Sequence, residues 1–201
     1  MTRIAAIVLA AGRSSRFNDG NKLLAEIDGM PLVRRVLTAI EAVAVTDIVL
    51  VVSADGHNVV EAAGPGRWRS VVCHDAHKGL AWSLRAGIAA LPETIDGALV
   101  ILADMPGISP DLIARVIAPF SDQRGGVIVH PVDSNGRQGN PVLWPMSLFP
   151  ELLALEGDTG GKMLLQKYKA ISRTVPVVGT GAFLDIDTQS DLARFKGERN
   201  S

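Results

Sequence analysis

The sequence predicts an α/β fold with a doubly wound, mostly parallel sheet, and three observations carry that expectation. Five short apolar runs rich in Val and Ile recur through the first two thirds of the chain. None alternates polar with apolar residues, so each reads as a strand buried on both faces, as a parallel sheet requires. Between them lie longer stretches whose apolar residues recur every three or four positions, the spacing of an amphipathic helix. The resulting order is β-α-β-α-β, with right-handed crossovers.

The first strand is expected at Ile4–Leu9, and the others at residues 48–52, 71–73, 98–102 and 127–129. Leu32, Val33, Val36, Leu37 and Ile40 share one helical face behind Pro31, a residue suited to a first turn. Leu84, Ile88 and Leu91 repeat the pattern, as do Leu112, Ile113, Val116 and Ile117 behind Ser109-Pro110-Asp111. The final third is less regular. Residues 136–140 are turn-rich, 145–155 and 162–168 read as helical, 172–178 and 183–186 as strands, and 189–195 as a closing helix. No repeat, low-complexity tract or linker divides the chain, so its 201 residues are expected to form one domain.

Lys and Arg total 20 against 21 acidic residues. No global positive field draws in nucleic acid or an anionic membrane, and neither is an expected partner. Any cationic site must be local. The single cysteine, Cys73, excludes an intrachain disulfide framework and reads as a small buried hydrophobe. No apolar run approaches the ~20 residues that span a bilayer. Residues 4–11 follow one cation, Arg3, and lead into a polar loop, unlike a signal sequence. A cytoplasmic location is the expectation.

Ligands of doubly wound folds sit beyond the carboxyl ends of strands. There the chain reads Leu9-Ala10-Ala11-Gly12-Arg13-Ser14-Ser15-Arg16-Phe17, with Lys22 following. Small residues let backbone N–H groups approach a polyphosphate, and Arg13, Arg16 and Lys22 put three cations within ten residues. Each opposite-charge pair about 4 Å apart near a surface attracts by roughly 4 kcal/mol before desolvation. Neither common phosphate loop fits: Lys22 lies between Asn21 and Leu23, and only Gly12 stands where the dinucleotide fingerprint needs three glycines. The strand at 98–102 ends in Asp104-Met105-Pro106, which aims a carboxylate into the same crevice. Mg²⁺ takes one or two carboxylates plus substrate phosphates and water, so Asp104 reads as a metal ligand, or else as a turn residue. Asp185 and Asp187 alternate along the expected last strand, would share a face and could together complete a metal site; the other reading of Asp187 is an N-cap of the final helix. His74, Asp75 and His77 lack the further Cys or His residues a transition-metal site needs. His57 and His130 have no assignment, and the three Trp residues read as packing, although Trp82 is near enough to the crevice to stack on a base.

Taken in order, these segments resemble the MobA-like nucleotidyltransferases. Residues 9–22 are similar to the family's opening Leu-Ala-(Ala/Gly)-Gly-x-Ser-x-Arg-(Met/Phe)-x-x-x-Lys, although the spacer Asn18-Asp19-Gly20-Asn21 departs slightly from the commoner form. Ala103-Asp104-Met105-Pro106 resembles the second motif, and Asp185-Ile186-Asp187-Thr188, continuing to Leu192, the last. Gly79-Leu80-Ala81-Trp82-Ser83-Leu84-Arg85-Ala86-Gly87 is similar to the cytidylyl-transferring branch, where this segment borders base and ribose. Gly136-Arg137-Gln138-Gly139-Asn140-Pro141-Val142 resembles the element near the acceptor.

The resemblance implies a Rossmann-like nucleotidyltransferase fold and Mg²⁺-dependent transfer of CMP from CTP to the phosphate of the molybdenum cofactor, molybdopterin, releasing pyrophosphate. It implies catalytic roles for Arg16, Lys22 and Asp104, and Mg²⁺ ligation by Asp104 and Asp187. Nucleotide binding falls to Leu9, Ala10, Ala11, Gly12, Arg13, Ser14, Arg16, Lys22, Gly79 and Ser83, and acceptor binding to Gly139, Asn140 and Pro141. Gly157-Asp158-Thr159-Gly160-Gly161-Lys162 opens a helix whose free N–H groups and cation suit the acceptor's phosphate. That adds Gly160 and Lys162, the other reading being a loop capped by Thr159 or Asp158. Residues 1–130 would then form the nucleotide-binding part and 131–201 the acceptor-binding part of the same domain. The guanylyl-transferring branch usually has Leu-Ala-Gly-Gly where this chain has Leu9-Ala10-Ala11-Gly12, and the expectation is that the methyl of Ala11 would narrow the pocket floor toward a pyrimidine. The expected partners are CTP, a molybdopterin-type phosphorylated acceptor and a molybdoenzyme client. The alternatives are a guanylyl-transferring enzyme, a sugar-1-phosphate nucleotidyltransferase, and a non-catalytic chaperone that binds molybdenum cofactor.

Overall fold

The computed structural model describes residues 2–14, 16–17, 20–158, 161–179 and 181–198. After β1 (Ile4–Leu9) come a short hairpin, β2 (Glu26–Ile27) and β3 (Met30–Pro31), then α1 (Leu32–Glu41), β4 (Asp47–Ser53), α2 (His57–Ala63) and β5 (Arg69–Cys73). The chain continues through α3 (Leu80–Ala89), β6 (Gly97–Leu102), α4 (Pro110–Asp122), β7 (Ile128–Val132) and β8 (Val142–Pro145). It closes with α5 (Phe149–Leu153), α6 (Lys162–Lys167), β9 (Ser172–Pro176) and α7 (Gln189–Glu198).

Among the described residues the main sheet has seven strands in the order β5-β4-β1-β6-β8-β7-β9. β5, β4, β1 and β6 are parallel, as are β7 and β9, and β8 alone runs against its neighbours. This is the doubly wound, mostly parallel sheet expected from the continuous apolar runs. Alternate residues of β1 serve two apolar layers. Ile4, Ala6 and Val8 belong to the layer of α1 and α4, whereas Ile7 and Leu9 join Leu84 and Ile88 of α3. α3 lies close on the sheet because Gly87 has no side chain: a Cβ there would meet Ile7 Cγ2 at 2.5 Å. α4 starts as its sequence dictates, with Ser109 Oγ accepting from the Leu112 N–H and Pro110 in the first turn. No helix among the described residues is long and apolar enough to cross a membrane.

Several expectations are corrected. β5 is an edge strand with Val72 46% exposed, so it is not buried on both faces. Residues 145–155 are not one helix: Pro145 ends β8, a 3₁₀ turn covers Met146–Leu148, and α5 is only five residues long. β8 itself escaped notice because prolines bracket its short apolar run. The strand expected at 127–129 runs from Ile128 to Val132. The strand expected at 183–186 does not form. Its backbone is used elsewhere, with the Ile186 N–H donating to the Asp104 carbonyl and the Phe183 carbonyl accepting from the Arg137 guanidinium. α2 and the hairpin of β2 and β3 were not anticipated.

Candidate active site

β1 and β6 are adjacent and in register, Leu9 beside Leu102, so the chain leaves both strands at the same edge. Ala10 N–H donates to the Val51 carbonyl and Ala103 N–H to the Leu9 carbonyl, which extends the ordered backbone into both loops. The first loop is pinned internally. Ser14, at φ 49°, places its hydroxyl to accept from the Lys22 N–H at 3.1 Å and to donate to Asn21 Oδ1 at 3.2 Å. Asn21 Oδ1 also accepts from the Leu23 N–H, capping the turn Lys22–Leu24. These bonds fold the loop back and fix where the Lys22 side chain starts.

Lys22 reaches the strand ends and stops between two carboxylates. Its Nζ lies 2.6 Å from Asp104 Oδ2 and 2.7 Å from Asp187 Oδ1, while Arg16 donates to Asp187 Oδ2 at 3.2 Å. Asp187 arrives there because the Ile186 N–H is bonded to the Asp104 carbonyl, which docks the whole segment on Asp104. It is not the helix cap. Thr188 and Asp191 form that cap reciprocally, Thr188 Oγ1 accepting from the Asp191 N–H and Asp191 Oδ2 from the Thr188 N–H. The carboxylate of Asp187 is thereby left to the cations. Asp185 is exposed rather than paired with Asp187 on a strand face, yet its charge still acts on Asp104.

Burial dominates the electrostatics of Asp104, whose side chain is 18% exposed. It raises the carboxyl above its ordinary pKa although Lys22 pulls the other way. Burial also opposes the charge of Lys22, but Asp104 and Asp187 together outweigh it and hold the ammonium above the ordinary lysine value. Asp104 Oδ1 is buried and has no hydrogen-bond partner. A buried acceptor left over is costly, and an oxygen ligand with unspent capacity beside a second carboxylate suits a hard divalent cation. Among the described residues no group of three or more metal-ligating side chains exists. Two carboxylates are sufficient for Mg²⁺ when substrate phosphates and water complete the shell.

Around this cluster opens a cleft of about 430 Å³. Leu9, Ala10, Ala11, Gly12, Arg13, Ser14, Arg16, Lys22, Gly79, Ser83, Asp104 and Asp187 all line it. The structure therefore brings together every residue expected at the nucleotide and the metal. Sequence reasoning missed His77 and Asp158 in the same wall. Gly79 explains Asp158. It sits at φ 121°, and a Cβ on it would lie 2.4 Å from the Gly157 carbonyl carbon. That contact lets the Ala81 N–H donate to Gly157 O and the Leu80 N–H to Asp158 Oδ1, so Asp158 serves the start of α3 rather than that of α6. Trp82 does not line the cleft. Its ring instead carries Lys78 and Arg85, at 4.5 and 5.0 Å from the centroid. Asp75 is engaged by Lys78 at 2.8 Å.

A second cavity of about 340 Å³ adjoins the first, sharing Leu9, Leu80 and Leu102. Gly139, Asn140 and Lys162 line it, whereas Pro141 does not and Gly160 falls outside the described residues. Arg137 and Gln138, from the segment expected near the acceptor, also line it, and Trp144 was not anticipated in its wall. Gln138 Oε1 is buried there without a partner. The 136–140 loop is held by residues 182–183: Arg137 donates to the Phe183 carbonyl, and Gly139 leaves no room for a Cβ against Ala182 O and Phe183.

The model of the MobA-like NTP transferase domain matches residues 6–172. The chain belongs to the MobA-like NTP transferase family. It is thus a nucleotidyltransferase, as the loop and acid motifs led one to expect. This MobA-like chain is 29% identical over 198 residues to the purine catabolism protein PucB of Bacillus subtilis, covering 92% of this chain and 88% of that protein. It is 28% identical over 203 residues to a probable molybdenum cofactor guanylyltransferase of Thermococcus sibiricus, covering 95% and 96%. The crystal structure of Rv0371c from Mycobacterium tuberculosis superposes with a TM-score of 0.84 at 26% identity, covering 98% of each chain. Rv0371c has also been solved in complex with manganese, with a TM-score of 0.82 against this chain, 26% identity and coverage of 98% and 99%.

Proposed function

We propose that this MobA-like NTP transferase is a Mg²⁺-dependent cytidylyltransferase that joins CMP from CTP to the phosphate of a molybdopterin-type cofactor and releases pyrophosphate. The observation that carries the reading is the meeting of Lys22, Asp104 and Asp187 in a cleft that opens directly onto a second cavity. Asp104 and Asp187 are the residues that would hold Mg²⁺, which when bound supplies Lewis-acid neutralisation of phosphate charge. Arg13, Arg16 and Lys22 neutralise the triphosphate, and Arg16 and Lys22 the charge developing on departing pyrophosphate. Leu9, Ala10, Ala11, Gly12 and Ser14 shape the phosphate loop, while Gly79 and Ser83 border the nucleoside. Gly139, Asn140, Pro141, Gly160 and Lys162 serve the acceptor.

An acceptor phosphate oxygen attacks the α-phosphorus, and the bond to the β-phosphate oxygen breaks. A phosphate monoester is already anionic, so no strong general base is needed. The barrier consists of anion repulsion and misalignment, and positioning with charge neutralisation lowers it. The division of labour follows the chain, with residues 1–130 on the nucleotide side and 131–201 on the acceptor side of one domain. Asp158 and Asp187 cross from the second part into the nucleotide cleft. The relative from Thermococcus sibiricus described as a probable molybdenum cofactor guanylyltransferase supports the acceptor class and makes GTP the rival donor. The reading places the protein in the cytoplasm with a molybdoenzyme as client.

The test incubates the protein with Mg²⁺, each of the four NTPs and either isolated molybdenum cofactor or hexose 1-phosphates, and measures pyrophosphate. Release with CTP and molybdenum cofactor is expected. Preference for GTP overturns the donor assignment, release with a sugar phosphate alone overturns the acceptor, and cofactor binding without pyrophosphate leaves a chaperone.

A further inference from the structure

Resting on the metal assignment above, we infer that Lys22 is a built-in gate on the metal site: its ammonium holds the cation position between Asp104 and Asp187 until a polyphosphate draws it away. The geometry is that of a cation site already filled. Nζ lies 2.6 and 2.7 Å from carboxylate oxygens of two different segments, and the residue is only 9% exposed. The position that bridges the two carboxylates, between Asp104 Oδ2 and Asp187 Oδ1, is the one Lys22 Nζ already occupies.

Charge balance points the same way. Arg16 and Lys22 together cancel Asp104 and Asp187, so the four side chains sum to zero. A divalent ion arriving alone gains little from a neutral cluster and must displace an ammonium to reach it. A triphosphate changes both terms. Its oxygens compete for Lys22 and Arg16, and their departure leaves two carboxylates bare for the ion. The move is short in covalent terms. The Lys22 backbone is anchored by the Ser14 hydroxyl, and only the flexible four-carbon stem has to swing. Metal and nucleotide therefore bind as a unit, and free ions are kept off the acidic pair between turnovers.

Mn²⁺ serves as the probe, with inorganic tripolyphosphate in place of nucleotide. Binding to the full chain is followed by electron paramagnetic resonance at fixed free Mn²⁺. In the wild type, tripolyphosphate should tighten Mn²⁺ binding at least tenfold. Lys22→Met should bind Mn²⁺ at least tenfold more tightly than the wild type with no polyphosphate present, and Lys22→Met/Asp104→Asn should lose that gain. Circular dichroism checks that each variant is folded, and the wild-type titration stands by itself if one is not. Tight Mn²⁺ binding by the wild type alone, unchanged by tripolyphosphate or by Lys22→Met, overturns the gate and leaves the proposed function standing. Failure of every protein to bind Mn²⁺ even with tripolyphosphate overturns the metal assignment on which the gate rests.

Discussion

Replacing Asp104 by Asn keeps the size of the side chain and removes its charge, which separates chemistry from folding. Loss of one preorganised charge-stabilising group at a reacting centre typically costs about 10²–10³ in kcat, or roughly 3–4 kcal/mol. Asp104 is expected at or beyond the upper end, because it is both a cation ligand and the 2.6 Å partner of Lys22. Stability should respond much less. Breaking a buried ion pair costs about 3–5 kcal/mol when the remaining charge is stranded, but Lys22 retains Asp187 at 2.7 Å. The buried carboxyl is itself strained toward neutrality, as its raised pKa records, so the substitution also relieves a desolvation cost. A net loss of no more than about 1–2 kcal/mol follows. At about 2–4 °C per kcal/mol for a chain of this size, the melting temperature should fall by less than about 8 °C. Pyrophosphate release with saturating CTP, Mg²⁺ and isolated molybdenum cofactor as acceptor, beside a thermal melt, reads both effects. A folded Asp104→Asn protein turning over at the wild-type rate would refute the reasoning.

Gly79→Ala should strain the positive-φ backbone by about 1–3 kcal/mol and push Gly157 and Asp158 away from the cleft. The KM for nucleotide should rise roughly tenfold with a smaller change in kcat, and unchanged kinetics would refute the role given to that contact. Gly87→Ala sets a helix-propensity gain of about 1 kcal/mol against overpacking of about 1–3 kcal/mol. Since the new Cβ meets Ile7 Cγ2 at 2.5 Å, the melting temperature should drop; a rise would show that the sheet yields. His130 is buried, and burial lowers its pKa from the ordinary 6.5 although its bond to the Pro131 carbonyl raises it. Below that value the unfolded chain takes up a proton that the folded chain refuses. Folding stability is therefore lost as pH falls from about 6.5 toward the depressed folded value, by at most about 1.4 kcal/mol per unit. Urea titrations at pH 7.5 and 5.5 should show a smaller acid loss in His130→Gln than in the wild type, and equal losses would contradict it.

The parallel half of the sheet was legible because strands buried on both faces must be continuously apolar, as Ile4–Leu9 and Gly97–Leu102 are. The neighbourhood of Lys22 and Asp104 was legible for the same reason, since adjacent parallel strands deliver the loops that follow them to one edge. What stayed hidden has no local signature. β8 is four residues long, follows Pro141 and ends on Pro145, and α2 opens with polar His57 and Asn58. The alternation of Asp185 and Asp187 imitates a strand, but that backbone bonds to Asp104 instead of a ladder. Asp158 reaches the nucleotide cleft because two glycines far apart in the chain, Gly79 and Gly157, touch backbone to backbone. Gln138 faces the second cavity through the docking of its loop on residues 182–183, which no periodicity announces.

A crystal structure with Mn²⁺ and a non-hydrolysable CTP analogue tests the central claim most directly. The account predicts the triphosphate in the cleft against residues 9–16, the ion on the carboxylates of Asp104 and Asp187, and Lys22 Nζ on a phosphate oxygen. A nucleotide bound away from the loop after β1, or an ion that does not touch Asp104, would contradict it.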